Sequence, residues 1–310
     1  MNKHEEYGRQ VQLLLRVMPL VYKIKDFAVH GGTAINLFYR NMPRYSVDID
    51  VTYIPVSGRD ESVRAINKHL ADLKRSIETS VPGVRVLHKQ DVLKLVCTSG
   101  GVAVKIEVNG TKRGLIGEPE VRNLCEAARE EFQMAVKCRT VSFSQLFGGK
   151  VSAALSRQHP RDLFDCRYLI DEVPFGDLRD GLLFCLAGSD KPIVESICPN
   201  EIDQREALEN QFAGMSDVAF TYDEYERTRV DLLRYVREGL SDADRRFLVS
   251  FEAGEPNWSL CSAGDLSGFP SVQWKLMNLQ RLSDMNPAKF RENVERLQMA
   301  LQEKVNPHCS

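Results

Sequence analysis

The sequence predicts an α+β fold, with an N-terminal mixed sheet flanked by helices and a helical C-terminal domain behind it. Apolar and charged residues alternate with a period of two in SVDIDV (46–51) and VKIEV (104–108), which marks strands in the first half. Apolar residues spaced by three and four mark helices around them, and beyond Pro174 the pattern is helical throughout. A chain of 310 residues accommodates two ordinary domains, placed here at 1–173 and 174–310.

Residues 5–25 carry Tyr7, Val11, Leu14, Leu15, Met18 and Val21 on one helical face, with Pro19 expected to kink or break the helix. The apolar run from Phe27 to Val29 then ends at Gly31-Gly32-Thr33, and the AINLFY that follows has helical spacing. The glycines therefore sit at a strand-to-helix turn, whose exposed backbone N–H groups favour phosphate oxygens. In the next strand Asp48 and Asp50 project from one face, Ile49 and Val51 from the other. Adjacent carboxylates repel unless a divalent cation lies between them, and hard oxygen donors suit Mg²⁺.

A surface helix is expected over 60–79, with Val63, Ile66, Leu70, Leu73 and Ile77 inward, and strands at 84–88, 92–97 and 102–108, the last two joined at Ser99-Gly100-Gly101. Lys105 and Glu107 share one face of the third strand; beside the Asp48–Asp50 strand, Glu107 can supply a third carboxylate. One further strand is expected over 133–141 and a helix over 143–157. Gly148 and Gly149 each cost that helix about 1 kcal/mol relative to alanine, unless close packing or a ligand requires them. Lys150 and Arg157 on one face suit a triphosphate tail. Pro160 opens the next helix, where Asp162 and Asp165 lie three apart, facing a ligand or simply favoured by the helix dipole.

A Gly-Gly-Thr turn leading through one short helix to a strand-borne D-x-D resembles the polymerase-beta-like nucleotidyltransferases. GGTAINLFYRNMPRYSVDIDV is more narrowly similar to the first motif of the AbiEii-type toxins, the family that includes the MenT toxins, with Arg44, Ser46, Asp48 and Asp50 at its Arg-x-Ser-x-Asp-x-Asp positions. The Thr33–Asp48 gap is longer than in the wider superfamily and favours the toxin branch. KVSAALSR fits that family's third motif through Lys150, Ala153 and Arg157, and Arg161-Asp162-x-x-Asp165 its fourth, Asp162 being the favoured carboxylate. FPSVQWKLMNLQRL resembles the family's C-terminal region.

The resemblance implies that residues 1–173 form the catalytic domain. Asp48 and Asp50 would hold Mg²⁺ and carry catalysis with Glu107, Lys150 and Asp162. Gly31, Gly32, Thr33, Arg44, Ser46, Lys150, Arg157 and Asp165 would bind the NTP co-substrate. The implied reaction moves NMP from NTP to an RNA acceptor, the tRNA 3′ end, releasing pyrophosphate, in the toxin of a toxin–antitoxin or abortive-infection system held in check by a cognate antitoxin.

Composition constrains the partners. A net charge of −2 confines nucleic-acid contact to a local patch. No apolar run is long enough to span a membrane, and the polar opening MNKHEEYGRQ is no secretory signal, so a cytoplasmic protein is expected. The eight cysteines are scattered, without zinc-site spacing, and read as reduced thiols. C-terminal helices are expected at 177–187, 203–212, 221–238, 242–252, 272–284 and 287–304. In the third of these, Arg227, Arg229, Arg234 and Arg237 interleave with Tyr222, Tyr225 and Tyr235, a mixture that suits RNA as well as an ordinary amphipathic helix. The alternatives are nucleotidylation of a small molecule such as an aminoglycoside, a D-x-D glycosyltransferase, and a non-catalytic NTP-binding module.

Overall fold

The computed structural model describes residues 2–302. It divides into two compact units, residues 1–142 with 212–219, and residues 143–211 with 220–310. Packing thus changes hands at Ser142, whereas the shift to helical composition put the expected boundary at 173.

The first unit is built on a seven-stranded mixed sheet of order β3-β4-β5-β2-β1-β7-β6. Its strands are β1 (Phe27–His30), β2 (Asp48–Tyr53), β3 (Arg85–Lys89), β4 (Lys94–Ser99), β5 (Val102–Val108), β6 (Glu120–Asn123) and β7 (Lys137–Thr140). β1 and β2 are antiparallel, while β5 joins β2 and β7 joins β1 in parallel. Helix α1 (Lys3–Tyr22) packs on β5 and β7, and α3 (Arg59–Ser80) on β3 and β4. The buried strand residues Ile49, Val51, Val104 and Ile106 share a core with Leu14, Met18, Ile66 and Leu70. Each such side chain contributes roughly 1.5–3 kcal/mol of burial free energy. α1 runs through Pro19 and ends one turn later, so the proline marks the last turn rather than a mid-helix break.

Helix α2 starts at Gly31–Ala34 and continues as a π-helical turn, Ile35–Tyr39, a widening that helical spacing does not announce. Two more elements depart from expectation. β6 and α4 (Glu126–Phe132) precede β7, and Gln133, expected to open a strand, instead closes α4 in the left-handed conformation at φ +51°.

The second unit is helical: α5 (Phe143–Arg157), α6 (Pro160–Glu172), α7 (Phe175–Ala187), α8 (Val194–Ile197), α9 (Arg205–Ala207, continued by a π-helical turn), α10 (Tyr222–Gly239), α11 (Asp242–Glu252), α12 (Pro270–Met285) and α13 (Pro287–Gln302). The expected end of the last helix at Lys304 lies outside the described residues, as does Cys309. α10 and α11 begin with capping boxes, Thr221 with Glu224 and Ser241 with Asp244, which fixes their starts locally.

The glycines of α5 serve helix packing. A Cβ on Gly148 would lie 2.2 Å from Leu182 N and 2.4 Å from Gly181 C, and one on Gly181 would lie 1.9 Å from Ser144 O. α5 and α7 therefore cross backbone to backbone, and the close approach that Gly148 permits is to a helix rather than to a ligand. Gly149 meets only Cys185 Sγ, at 3.5 Å.

Cys97, Cys125, Cys138, Cys166, Cys185 and Cys261 are free thiols, whereas Cys198 is disulfide-bonded, against the expectation of thiols throughout. Among the described residues no helix is long and apolar enough to cross a membrane.

Candidate active site

The Gly-Gly-Thr turn is shaped by the strand it faces. Gly31 adopts φ +73°, and a Cβ there would lie 2.6 Å from Asp50 Oδ2, so only glycine satisfies both the backbone and the carboxylate. A Cβ on Gly32 would lie 2.8 Å from both Arg44 Nη2 and Ser46 Oγ. Thr33 is buried; its hydroxyl donates to the Asp48 carbonyl at 2.5 Å and lies 3.1 Å from Ser46 Oγ. Arg44, also buried, donates from Nη1 to the Tyr45 carbonyl at 2.8 Å. Gly31, Gly32, Thr33, Arg44, Ser46, Asp48 and Asp50 are thus one interlocked assembly inside the sheet unit.

The carboxylates lie on the less buried face of that sheet. Asp48 and Asp50 alternate with fully buried Ile49 and Val51, as a period of two requires. In register, Asp50 lies between His30 on β1 and Glu107 on β5, and Glu107 lies beside Lys94 on β4. One row away, Asp48 lies beside Lys105. Cross-strand neighbours of this kind share a face at contact distance. Glu107 is therefore adjacent to Asp50, as its strand position suggested, but its carboxylate is paired with Lys94 Nζ at 2.7 Å. That pair is partly exposed, worth about 0–1 kcal/mol, and cheap to rearrange.

Among the described residues no three His, Cys, Asp or Glu side chains converge on a point as a protein-only metal cage would need. Asp48 and Asp50 are the two carboxylates the strand could offer a cation. That suits Mg²⁺, which is ordinarily held by one or two carboxylates together with water and substrate phosphates.

Lys150, Arg157, Asp162 and Asp165 form a second assembly, wholly within the helical unit. Lys150 Nζ lies 2.9 Å from Asp162 Oδ1 and 2.9 Å from Asp165 Oδ2, all three side chains being buried. Arg157 Nη2 reaches the other oxygen of Asp162 at 2.7 Å and is itself 63% exposed. Lys150 is thus no solvated helix charge: α5 and α6 trap one ammonium between two carboxylates, and Arg157 is the member at the surface. His159 caps α6 by accepting from Arg161 N at 3.2 Å, and its ring is held below the ordinary imidazole range by burial.

Removing the buried ammonium leaves Asp162 with Arg157 and takes from buried Asp165 the cation beside it, and breaking a buried pair in this way costs about 3–5 kcal/mol. Lys150→Ala is expected to lose that much stability in denaturant unfolding, and adding Asp165→Asn to recover part of it. Unchanged stability in Lys150→Ala would contradict the trapped-ammonium geometry.

The basic and aromatic residues of α10 mostly face inward. Tyr225 is fully buried and donates to the Gln158 carbonyl at 2.7 Å, and buried Arg237 donates to the Ile197 carbonyl at 3.2 Å. Arg229 is buried against Glu201 at 3.2 Å, and Tyr235 donates to the Val173 carbonyl at 2.7 Å. Arg227 and Arg234 remain at the surface. The helix is primarily an amphipathic packing element. His30 and Lys94, which flank the carboxylate row, went unremarked in the sequence; the position of His30 directly before Gly31 was the available signal.

A glycine turn locked beneath a strand-borne pair of carboxylates in a mixed sheet can offer backbone N–H groups to a phosphate and hard oxygens to a divalent cation. The chain belongs to the family described as nucleotidyl transferase AbiEii toxin, type IV toxin–antitoxin system, whose model matches residues 12–277. It is accordingly a nucleotidyltransferase of the toxin class, and the family implies a cognate antitoxin. Among solved structures it is similar to MenT4, a nucleotidyltransferase toxin from Mycobacterium tuberculosis H37Rv, at 12% identity and TM-score 0.60, covering 88% of this chain and 93% of that one. At that identity the likeness is one of fold. A search of curated proteins finds no match.

Proposed function

We propose that the protein transfers a nucleoside monophosphate from an NTP to an RNA 3′ end, most specifically that of tRNA, in the cytoplasm, and that blocking this end from aminoacylation is the toxic event. The observation that supports the reading is the placement of Asp48 and Asp50 on one strand face directly over the Gly31-Gly32-Thr33 turn.

Asp48 and Asp50 would hold Mg²⁺, which when bound supplies Lewis-acid stabilisation of the charge on the transferring phosphoryl group. The chain's own residues do the rest. Thr33, Arg44 and Ser46 hold the turn against the carboxylate strand, so that its backbone N–H groups are oriented for phosphate oxygens. Glu107, released from Lys94, accepts the proton of the attacking hydroxyl, and pyrophosphate leaves with the displaced electron pair. Arg157 contacts the triphosphate, while Lys150 and Asp162 hold the orientation of its guanidinium, with Asp165 completing the charge balance. On this proposal residues 1–173 act as one catalytic domain.

RNA is preferred over a small acceptor because the sequence motifs resemble those of the AbiEii-type toxins. The surface that α10 offers for it is reduced to Arg227, Arg234 and their neighbours, so contact must be local. The test is to incubate the purified protein with Mg²⁺, each α-labelled NTP in turn, total RNA, and separately a panel of aminoglycosides. Label on RNA of tRNA size is the expected result. Label only on a small molecule would overturn the acceptor and keep the reaction.

A further inference from the structure

Gln158 closes α5 in the left-handed conformation, at φ +49°. A residue with a Cβ is disfavoured there, and glycine is the one that ordinarily ends a helix in this way. A glutamine kept in that conformation is therefore held by its surroundings. It is only 2% exposed. Its Nε2 donates to the Asn200 carbonyl at 2.6 Å, and its Oε1 accepts from Ile202 N at 3.3 Å. Its backbone N–H donates to the Ala154 carbonyl at 2.9 Å, and its own carbonyl accepts from the buried Tyr225 hydroxyl at 2.7 Å.

The same two elements hold the residues around it. Gln204 Nε2 donates to the Arg157 carbonyl at 3.3 Å, and Arg229 of α10 pairs with Glu201 at 3.2 Å, which ties the 200–204 segment to the helix that carries Tyr225. Gln158 and His159 are the whole connection between α5 and α6. Arg157 precedes that connection, and Asp162, which pairs with its guanidinium at 2.7 Å, lies in the first turn beyond it. Lys150 is fixed by burial between the helices, whereas the Arg157 side chain is mostly exposed, so its direction depends on the backbone it stands on and on Asp162. A glycine would stop α5 with less strain; what the glutamine adds is an amide anchored on both sides.

We propose that Gln158 is a positioning residue for nucleotide binding: held by the 200–202 segment and by Tyr225, it sets the angle between the end of α5 and the start of α6, and with it the direction in which Arg157 presents its guanidinium. This rests on the reading of Arg157 as a triphosphate contact. Gln158 acts through Arg157 and touches no nucleotide itself.

The experiment measures calorimetric affinity for MgATP, MgGTP, MgCTP and MgUTP, with denaturant unfolding of the same samples of the full chain. Gln158→Gly permits the left-handed conformation and deletes the anchor. If the residue served only as a helix stop, glycine would replace it without loss of affinity. Positioning predicts about fivefold weaker binding of the NTP that the native chain binds most tightly. Arg157→Ala should weaken the same NTP by about tenfold, and Gln158→Gly should cost little more in that background, because the two changes remove one interaction. Tyr225→Phe, which deletes only the hydroxyl on the Gln158 carbonyl, should shift affinity in the same direction and decides the matter should Gln158→Gly fail to fold. Leu279→Ala, on the buried face of α12, supplies a destabilised control that keeps native affinity. Native affinity in Gln158→Gly, an equal loss in Leu279→Ala, or a loss that persists in full in the Arg157→Ala background would overturn the positioning role and leave the nucleotide site standing. Native affinity in Arg157→Ala would overturn the triphosphate contact and this inference with it.

Discussion

Asp48→Ala and Asp50→Ala are each expected to lower nucleotidyl transfer by about a thousandfold or more, because several kcal/mol of transition-state charge stabilisation are lost with the metal-holding carboxylate. The fold should survive both changes. Thr33 bonds the carbonyl of Asp48, not its side chain, so the turn keeps its anchor. Removing one of two neighbouring like charges also relieves repulsion in the metal-free protein, which predicts an unfolding midpoint at or above the native value. The check is kcat/KM at saturating Mg²⁺ beside thermal unfolding of the same samples. Full activity of Asp48→Ala under those conditions would remove the metal assignment.

Gly148→Ala is expected to be among the most destabilising single-methyl changes in the chain. The added carbon would sit 2.2 Å from a backbone nitrogen of α7, and backbone cannot swing aside as a side-chain end can. Overpacking of a core ordinarily costs about 1–3 kcal/mol, and this contact belongs at or beyond the upper end. A loss of about 3 kcal/mol corresponds to a fall of roughly 6–12 °C in Tm for a unit of this size. Gly149→Ala, one residue on, meets only a sulfur at 3.5 Å and should be neutral or stabilising by up to about 1 kcal/mol, since alanine favours the helix. Similar midpoints for the two variants would contradict the backbone crossing of α5 and α7.

These two positions also illustrate what was legible in the sequence. The cost of two glycines inside α5 was visible, and with it the need for a reason. The reason was not visible, because the partner of Gly148 is Gly181 on another helix, and no local pattern connects them. The carboxylate strand was legible because alternation of Asp48, Ile49, Asp50 and Val51 is a local property, and the capped starts of α10 and α11 were legible for the same reason. β6 was not: Glu120-Val121-Arg122-Asn123 is an edge strand with little apolar surface to bury, so it lacks the signature of a core strand. The burial of Lys150 was equally hidden. Its spacing from Arg157 suggested a charged face, whereas its environment is set by Asp162 and Asp165 arriving from α6. In α10 the mixture of arginine and tyrosine carried no information about direction, and packing turned Tyr225, Arg229 and Arg237 inward.

The most direct test of the central claim, that Asp48 and Asp50 over the glycine turn form a metal-dependent nucleotidyl-transfer site, is a stoichiometric one. Pyrophosphate release and label incorporation from α-labelled NTP into total RNA are measured together as Mg²⁺ is raised, for the native chain and for Asp48→Ala. The account predicts one pyrophosphate per nucleotide incorporated, dependence on Mg²⁺, and loss of both signals in the variant. Consumption of NTP without incorporation, or release of nucleoside diphosphate in place of pyrophosphate, would contradict it.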